Sequence, residues 1–395
     1  GESLSSFSQD TFPFFRRVVR AVDESVYFRE DFRFRFVNHV SFPIPGGTPM
    51  NLSGSRSSWH IDYVLLDAGR SSNQTNYHDI CFVTPAQSLL NRYHSMPWNH
   101  YIADADAQLR TNFSNSISNL DNITCNYTYR YFIQDESGTI IRNYSAGTWF
   151  LDPFSSAGYQ SYQPHANPVV AANPLPLSPA QERRFRIVHA LREGATGDGY
   201  TRNDTIVHEQ FFGQVYAYDK GLPETGYSLI GTHPEMALQF VAARPDSLKA
   251  VRIWFNETVQ GSNAEQPFFL SIYKKIGQNE VILYQEEEPR ETPERELMNR
   301  FTEYILDQPV WLADTFYVGI YQAGVVGPSR MLHIGFDISR NAMQYASINV
   351  TGQWEPSMLS GAPMIRPVFG EPGFPSDVND RLQTGNSPLK LYPNP

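Results

Sequence analysis

The hydrophobic pattern along the chain is dominated by period two. Asp31-Phe-Arg-Phe-Arg-Phe-Val37 sets Phe32, Phe34 and Phe36 on one side and Arg33 and Arg35 on the other, the alternation of a half-buried antiparallel strand. Residues 59–67 follow a Gly/Ser-rich loop and read as its partner strand. Residues 1–75 hold only about three or four such segments, whereas a jelly-roll or concanavalin-like sandwich needs roughly eight. The expectation is the C-terminal part of such a sandwich, with its other strands upstream, cut away, or supplied by another chain.

Further along, Thr84-Pro85 predicts a short helix through Leu89, Leu90 and Tyr93, with Thr84 as N-cap and Pro85 at the first helical position. Residues 124–133 and 139–144 flank Glu136-Ser-Gly138, which has the length and the glycine of a hairpin turn. With closing strands at 184–189 and 205–211, residues 76–210 read as an immunoglobulin-like sandwich with one Pro-rich arm over 151–180. Strand patterns then recur at 248–255, 268–274, 280–284, 301–306, 315–321, 332–337 and 364–369. That is enough for a complete jelly-roll sandwich over 211–370. Residues 371–395 read as a Pro/Gly/Ser-rich linker and a terminal segment. The predicted class is all-β, a tandem of antiparallel β-sandwiches.

Composition agrees with that reading. Of 395 residues 14% are aromatic and only 18% charged, and aromatic side chains pack well on pleated, half-buried surfaces. The net charge of −10 and the lack of any run of five basic residues exclude a phosphate-tracking surface, so no nucleic-acid partner is expected. No transmembrane segment is expected either, because no apolar stretch reaches the ~20 residues needed to span a bilayer. Cys81 and Cys125 are open to two readings, a single disulfide or two buried thiols.

Candidate chemistry is sparse. The nucleophile elbow, zinc helix, P-loop and dinucleotide fingerprint are all absent, so the chain is expected not to be an enzyme and to carry no cofactor other than calcium. Calcium takes several oxygen ligands from carboxylates and loop carbonyls. The acidic turns that suit it contain Asp104 and Asp106, Asp198 and Asp204, and Asp219 and Glu224. His60 and Asp62, two apart on a strand, would share a face. Tryptophans can stack on sugar rings; Trp254, Trp149 and Trp98 are the leading candidates for a glycan surface, with Trp311 and Trp354 behind them.

The last residues, Ser387-Pro-Leu-Lys-Leu-Tyr-Pro-Asn-Pro395, resemble the opening strand of the C-terminal sorting domain carried by cargo of the bacterial type IX secretion system. In such cargo this strand follows a Pro/Gly/Ser-rich linker, as it does here. Residues 32–36 with 59–64 look like the closing strands of the MAM- or concanavalin-like jelly roll common in that cargo. The run from Tyr216 to Tyr227, with Asp219, Gly221 and Glu224, looks like the segment that opens its final jelly-roll module. The resemblance implies a secreted or cell-surface protein of a Gram-negative bacterium with the rest of its sorting domain missing, and O-glycosylation at Asp-Ser/Thr-aliphatic sites, here Thr205 and Ser247. The functional expectation is a structural or adhesive protein that completes its first sandwich with a strand from a neighbouring copy, giving a homo-oligomer or polymer. The alternative is a carbohydrate-binding accessory region of a larger secreted enzyme, with a cell-surface glycan as partner.

Overall fold

The computed structural model describes residues 18, 20–37, 50–53, 61, 64–71, 73–74, 76–153, 160–162, 175–194, 200–257, 264–327 and 329–372. The protein is all-β, and its sheets pair antiparallel throughout. Among the described residues no helix is long and apolar enough to cross a membrane.

The central sandwich has a three-stranded sheet, in the order Ile80–Phe82, Asn115–Asn119, Gln160–Tyr162. Its four-stranded sheet runs Ile140–Leu151, Cys125–Gln134, Arg183–Glu193, Thr205–Phe212. Cys125–Gln134 shows why a strand forms here: Cys125, Tyr127, Tyr129, Tyr131 and Ile133 are all buried, and every intervening residue is less so. Its partner carries two residues, Ala146 and Gly147, opposite Tyr129. Gly147 takes φ +82, the left-handed conformation that lets one strand bulge against the other.

The C-terminal sandwich stacks two seven-stranded sheets. One is ordered Met50–Ser53, Thr225–Leu229, Ile334–Asp337, Asp246–Phe255, Arg300–Leu312; Ala362–Pro363 and Ile365–Val368 add to its middle. The other is ordered Val281–Gln285, Pro267–Lys275, Thr315–Tyr321, Glu235–Val241, Ala346–Asn349, Trp354–Pro356, with Arg290–Glu291 beside Pro267–Lys275. Phe268, Leu270, Ile272, Phe316, Val318, Ile320, Met236, Leu238 and Phe240 face the other sheet and form the core. Val281–Gln285 is an edge strand on which Val281, Ile282 and Leu283 are all exposed.

Three expectations fail. Residues 32–37 form no strand; they are irregular, and Phe34 and Phe36 are more than half exposed. Alternation specifies a strand only where a sheet edge is present to receive it. Much of the expected partner, including Trp59, His60 and Asp62, lies outside the described residues, and residues 61 and 64–67 are irregular. The described strand of residues 1–75, Met50–Ser53, does not belong to a separate sandwich: it pairs in register with Thr225–Leu229. Lastly, residues 84–93 are not helical. Leu89, Leu90 and Tyr93 are buried as a helix would have buried them, but a side chain replaces the helical hydrogen bonds. Gln210 Oε1 accepts from Leu89 N at 2.9 Å and from Ser88 Oγ at 2.7 Å, and its Nε2 donates to His94 O at 2.9 Å.

The two sandwiches share one hydrophobic core. The connector, residues 211–219, is buried at every position. Tyr93, Tyr216 and Tyr218 pack ring on ring, with centroids 4.7 and 5.0 Å apart. Their hydroxyls pin the junction to the C-terminal sandwich: Val241 N donates to Tyr93 at 2.8 Å, Ala243 N donates to Tyr216 at 2.9 Å, and Tyr218 donates to Gln239 O at 2.7 Å. His100 sits beneath them, 2.8 Å from the Tyr216 hydroxyl and 3.1 Å from Asp246. Burial outweighs that carboxylate and pushes its pKa down to about 4, leaving the ring neutral at pH 7.

Each buried polar group left unpaired costs about 1–3 kcal/mol. Gln210→Leu, which strands several groups at once, is expected to lower the free energy of unfolding by about 3 kcal/mol or more, and Tyr216→Phe by about 1–2 kcal/mol. Denaturant titration of both variants measures this, and values within error of wild type would refute the role assigned to the junction.

Candidate functional site

The outward face of the sheet built on Glu235–Val241 is where unusual side chains converge. Alternation that sends Phe268, Leu270 and Ile272 inward sends Phe269, Ser271 and Tyr273 outward; on the neighbouring strands it does the same for Tyr317, Gly319 and Tyr321, and for Glu235, Ala237 and Gln239. Trp354 joins them across the pairing of Asn349 with Trp354.

The rings form an interrupted platform. Tyr273 meets Trp354 edge-on at 6.0 Å, Phe269 lies 5.8 Å from Tyr321, and His233 stacks on Tyr321 at 5.9 Å. Trp354 Nε1 donates to Glu280 at 2.8 Å, and Gln239 Nε2 donates to the Tyr317 hydroxyl at 2.7 Å. Gly319 makes room for this arrangement: a Cβ there would fall 2.7 Å from the Tyr273 ring and 3.2 Å from Glu235 Oε1. Tyr273 therefore lies flat across the sheet, and its hydroxyl donates a short hydrogen bond to Glu235.

Glu235 is the electrostatic oddity. It is 8% exposed, and burial, with Glu280 adding to the effect, pushes its carboxyl up to about 7. The Tyr273 hydroxyl is raised as well, through burial and the adjacent carboxylate. The face thus offers the half-buried rings of Phe269, Tyr321 and Trp354 with amide and hydroxyl groups beside them, and the Tyr273–Glu235 pair is buried among them. Such a surface can stack on a ring-shaped polar ligand and exchange hydrogen bonds with it.

The residues singled out from sequence are scattered. Trp98 is buried at the junction, stacked 5.2 Å from Tyr101 with Nε1 donating to Ser178 O. Trp254 is 3% exposed, meets Phe301 edge-on, and donates to Asn256. Trp149 is half-buried and donates to Ala146 O. Core packing won at the first two sites because the indole was the largest apolar surface available to fill each of them. These three tryptophans do not form a common surface, and of the five only Trp354 belongs to the aromatic face; Trp311 is exposed elsewhere.

The calcium candidates are scattered too. Asp104 and Asp106 are exposed at the short helix Ala105–Gln108, Asp204 is buried, and Asp198 lies outside the described residues. Asp219 is fully buried and bound to Arg366 through Nε at 3.2 Å and a terminal nitrogen at 2.5 Å. Both oxygens of that carboxylate are thereby committed to the guanidinium. Glu224 is exposed, with Oε2 accepting from Ile338 N. Among the described residues no three His, Cys, Asp or Glu side chains form a group able to hold a metal. Cys81 and Cys125 are both buried, on opposite sheets of the central sandwich. Thr205 is exposed at the start of an edge strand, and Ser247 is half-buried.

The sequence held one overlooked signal for the aromatic face. Residues 269, 271 and 273 alternate with a strongly apolar set, so Phe269 and Tyr273 had to face away from the core. Glu235, Gly319 and Trp354 gave none, since their meeting depends on strand order.

No protein-family model and no curated protein matches the chain. Among solved structures it bears a slight likeness to the cysteine protease and lectin-like domains of Cwp84, a surface-layer-associated protein of Clostridium difficile, with TM-score 0.27 and 7% identity over 61% of this chain. The chain spans 58% of the length of that structure. Carbohydrate-binding modules of the β-sandwich superfamily give TM-score 0.20 and 7% identity, covering 66% of this chain and 97% of theirs. A structure of infectious bursal disease virus, Gx strain, gives 0.18 and 13% over 63% of this chain and 57% of that one. Likenesses this slight carry no argument about function.

A buried carboxyl with a raised pKa stabilises the fold while neutral. Glu235 contributes fully below its ordinary pKa of 4.5 and loses that contribution as pH rises through about 7. Glu235→Gln is expected to gain stability relative to wild type across that window, by on the order of 3 kcal/mol at its upper end. Paired unfolding titrations at pH 4.5, 6 and 8 read this difference, and a pH-independent difference would refute it.

Proposed function

We propose that this protein is a non-catalytic adhesive β-sandwich protein that binds a glycan on the outward face around Phe269, Tyr321 and Trp354. One observation carries the reading: the half-buried rings of Phe269, Tyr321 and Trp354 share one outward sheet face with hydrogen-bonding side chains, around a buried Tyr273 that packs against Gly319. Sugar rings present axial C–H groups to aromatic faces and hydroxyls to amides and carboxyls, which is the chemistry gathered there. Secretion or cell-surface display in a Gram-negative bacterium, through the type IX pathway, is part of the same proposal and rests on the resemblance of residues 387–395 to the start of a sorting domain. Calcium has no assigned place in this reading.

Self-assembly is favoured by a different feature. The edge strand Val281–Gln285 exposes three consecutive aliphatic side chains, and an unpaired apolar edge is a template for strand addition from a second copy.

Glycan-array screening followed by calorimetry tests the first reading. Trp354→Ala or Tyr321→Ala should weaken binding about tenfold while leaving the melting temperature unchanged. Trp254→Ala should act through stability instead. Failure of the wild-type protein to bind any glycan would sink the proposal. For self-assembly, sedimentation velocity over a concentration series should show association of the wild type that Ile282→Lys abolishes; a concentration-independent wild-type monomer would count against it.

A further inference from the structure

Arg92 and Arg340 both line a cavity of about 260 Å³ where the two sandwiches meet. Asn91 and Arg92 line it from the central sandwich, and Arg340, Asn341, Gln344 and Tyr345 from the C-terminal one. Among the described residues no carboxylate lines it. In a chain of net charge −10 that concentration of positive charge calls for a cause.

Arg92 is fixed in place. Its Nε donates to the Tyr218 hydroxyl at 3.0 Å, a terminal nitrogen donates to Gln239 at 3.2 Å, and the guanidinium lies 4.0 Å over the Tyr345 ring. Arg340 is less engaged. Its Nε is 3.4 Å from Tyr218 O, and among the described residues no carboxylate pairs with it. The acidic groups that reach it electrostatically are Asp219 and Asp337. Asp219 is committed to Arg366, and Asp337 accepts from Lys220 N and from the backbone and hydroxyl of Ser339. Arg340 is in turn felt by more positive or proton-accepting groups: Arg110, His94 and His208. The two imidazoles sit edge-to-face at 5.2 Å.

Desolvating a guanidinium without a counter-charge in contact is costly. An oxyanion in the cavity supplies that counter-charge. Its planar or tetrahedral oxygens match the guanidinium fork, and the amides of Asn91, Asn341 and Gln344 supply further donors. The volume is below the ~300–1,000 Å³ of drug-sized sites, which suits a small group. We propose that this cavity binds an oxyanion, a sulfate or carboxylate, with Arg340 as its principal ligand. The source is either a free anion or the acidic substituent of a sugar. The proposal stands independently of the aromatic face.

Isothermal titration of the full chain with sodium sulfate, sodium glucuronate and glucose, at constant ionic strength to remove screening differences, tests it. Sulfate or glucuronate is expected to bind and glucose is not. Tighter binding of glucuronate identifies an acidic sugar as the source, and tighter binding of sulfate a free anion. Arg340→Gln, which removes the charge while keeping hydrogen-bonding capacity, should weaken binding about tenfold or more. Asn341→Asp, an exposed change at the cavity wall, should do likewise through charge repulsion, and it keeps the test valid should Arg340→Gln fail to fold. Undiminished binding by either folded variant, or wild-type protein that binds neither anion, overturns the proposal.

Discussion

Burying the connector between the two sandwiches is the constraint from which the rest follows. Residues 211–219 run through the core, so their backbone groups cannot turn to water and must find partners inside. Some of these partners come from the 94–98 loop, with Ala217 O accepting from His94 N and Gly213 O from Trp98 N. The three junction tyrosines add rings for the core and hydroxyls for the next strand. An ordinary exposed linker would let the sandwiches move against each other. Here they are locked, and both proposed ligand surfaces inherit that rigidity: Tyr218 positions Arg92, Arg92 reaches Gln239, and Gln239 reaches Tyr317 on the aromatic face.

Electrostatics at the junction follow from the same burial. Arg366 and Asp219 are both inaccessible to solvent, and Arg366 also lies 4.0 Å from the Phe301 ring. A buried pair of this kind adds little net stability over an apolar replacement, but losing one partner strands a charge. His94, His100, His189, His208 and His333 all have pKa values pushed down, with desolvation as the largest cause. Their sign is opposite to that of Glu235. Such groups contribute stability above the ordinary histidine pKa and lose it as pH falls.

How much was legible in the sequence depended on where each residue's partners lie. Cys125–Gln134 could be read directly, because its alternation was followed by a turn and a second strand that returns to it. The same alternation at Phe32, Phe34 and Phe36 misled, since a pattern states which side is apolar but not whether a sheet is waiting. Thr84-Pro85 gave a sound helix-start signal that lost to Gln210, a residue more than a hundred positions away. Aromatic residues were the least legible. Trp254 and Tyr273 both sit on strands and both are 3% exposed, Trp254 against Phe301 and Tyr273 against Glu235 and Trp354. Each ring lies against a glycine of a neighbouring strand, Gly335 for Trp254 and Gly319 for Tyr273, a closeness that strand order alone decides. Both candidate sites are assembled from distant segments, so their residues could be noticed singly but not grouped.

Met50–Ser53 pairs with Thr225–Leu229, and the entire central sandwich lies between them in sequence. During synthesis this strand leaves the ribosome long before its partner exists. It must wait unpaired, with Met50 and Leu52 uncovered, while the intervening domain is made. Contacts that close so long a loop form late, because the entropy of closure is spent before the pairing repays it. The implied order is the central sandwich first, then the strands of the C-terminal one, with Met50–Ser53 docking last. A segment that joins last is also the one whose release leaves the remaining framework intact, so the sheet edge at Thr225–Leu229 is where the fold would open first.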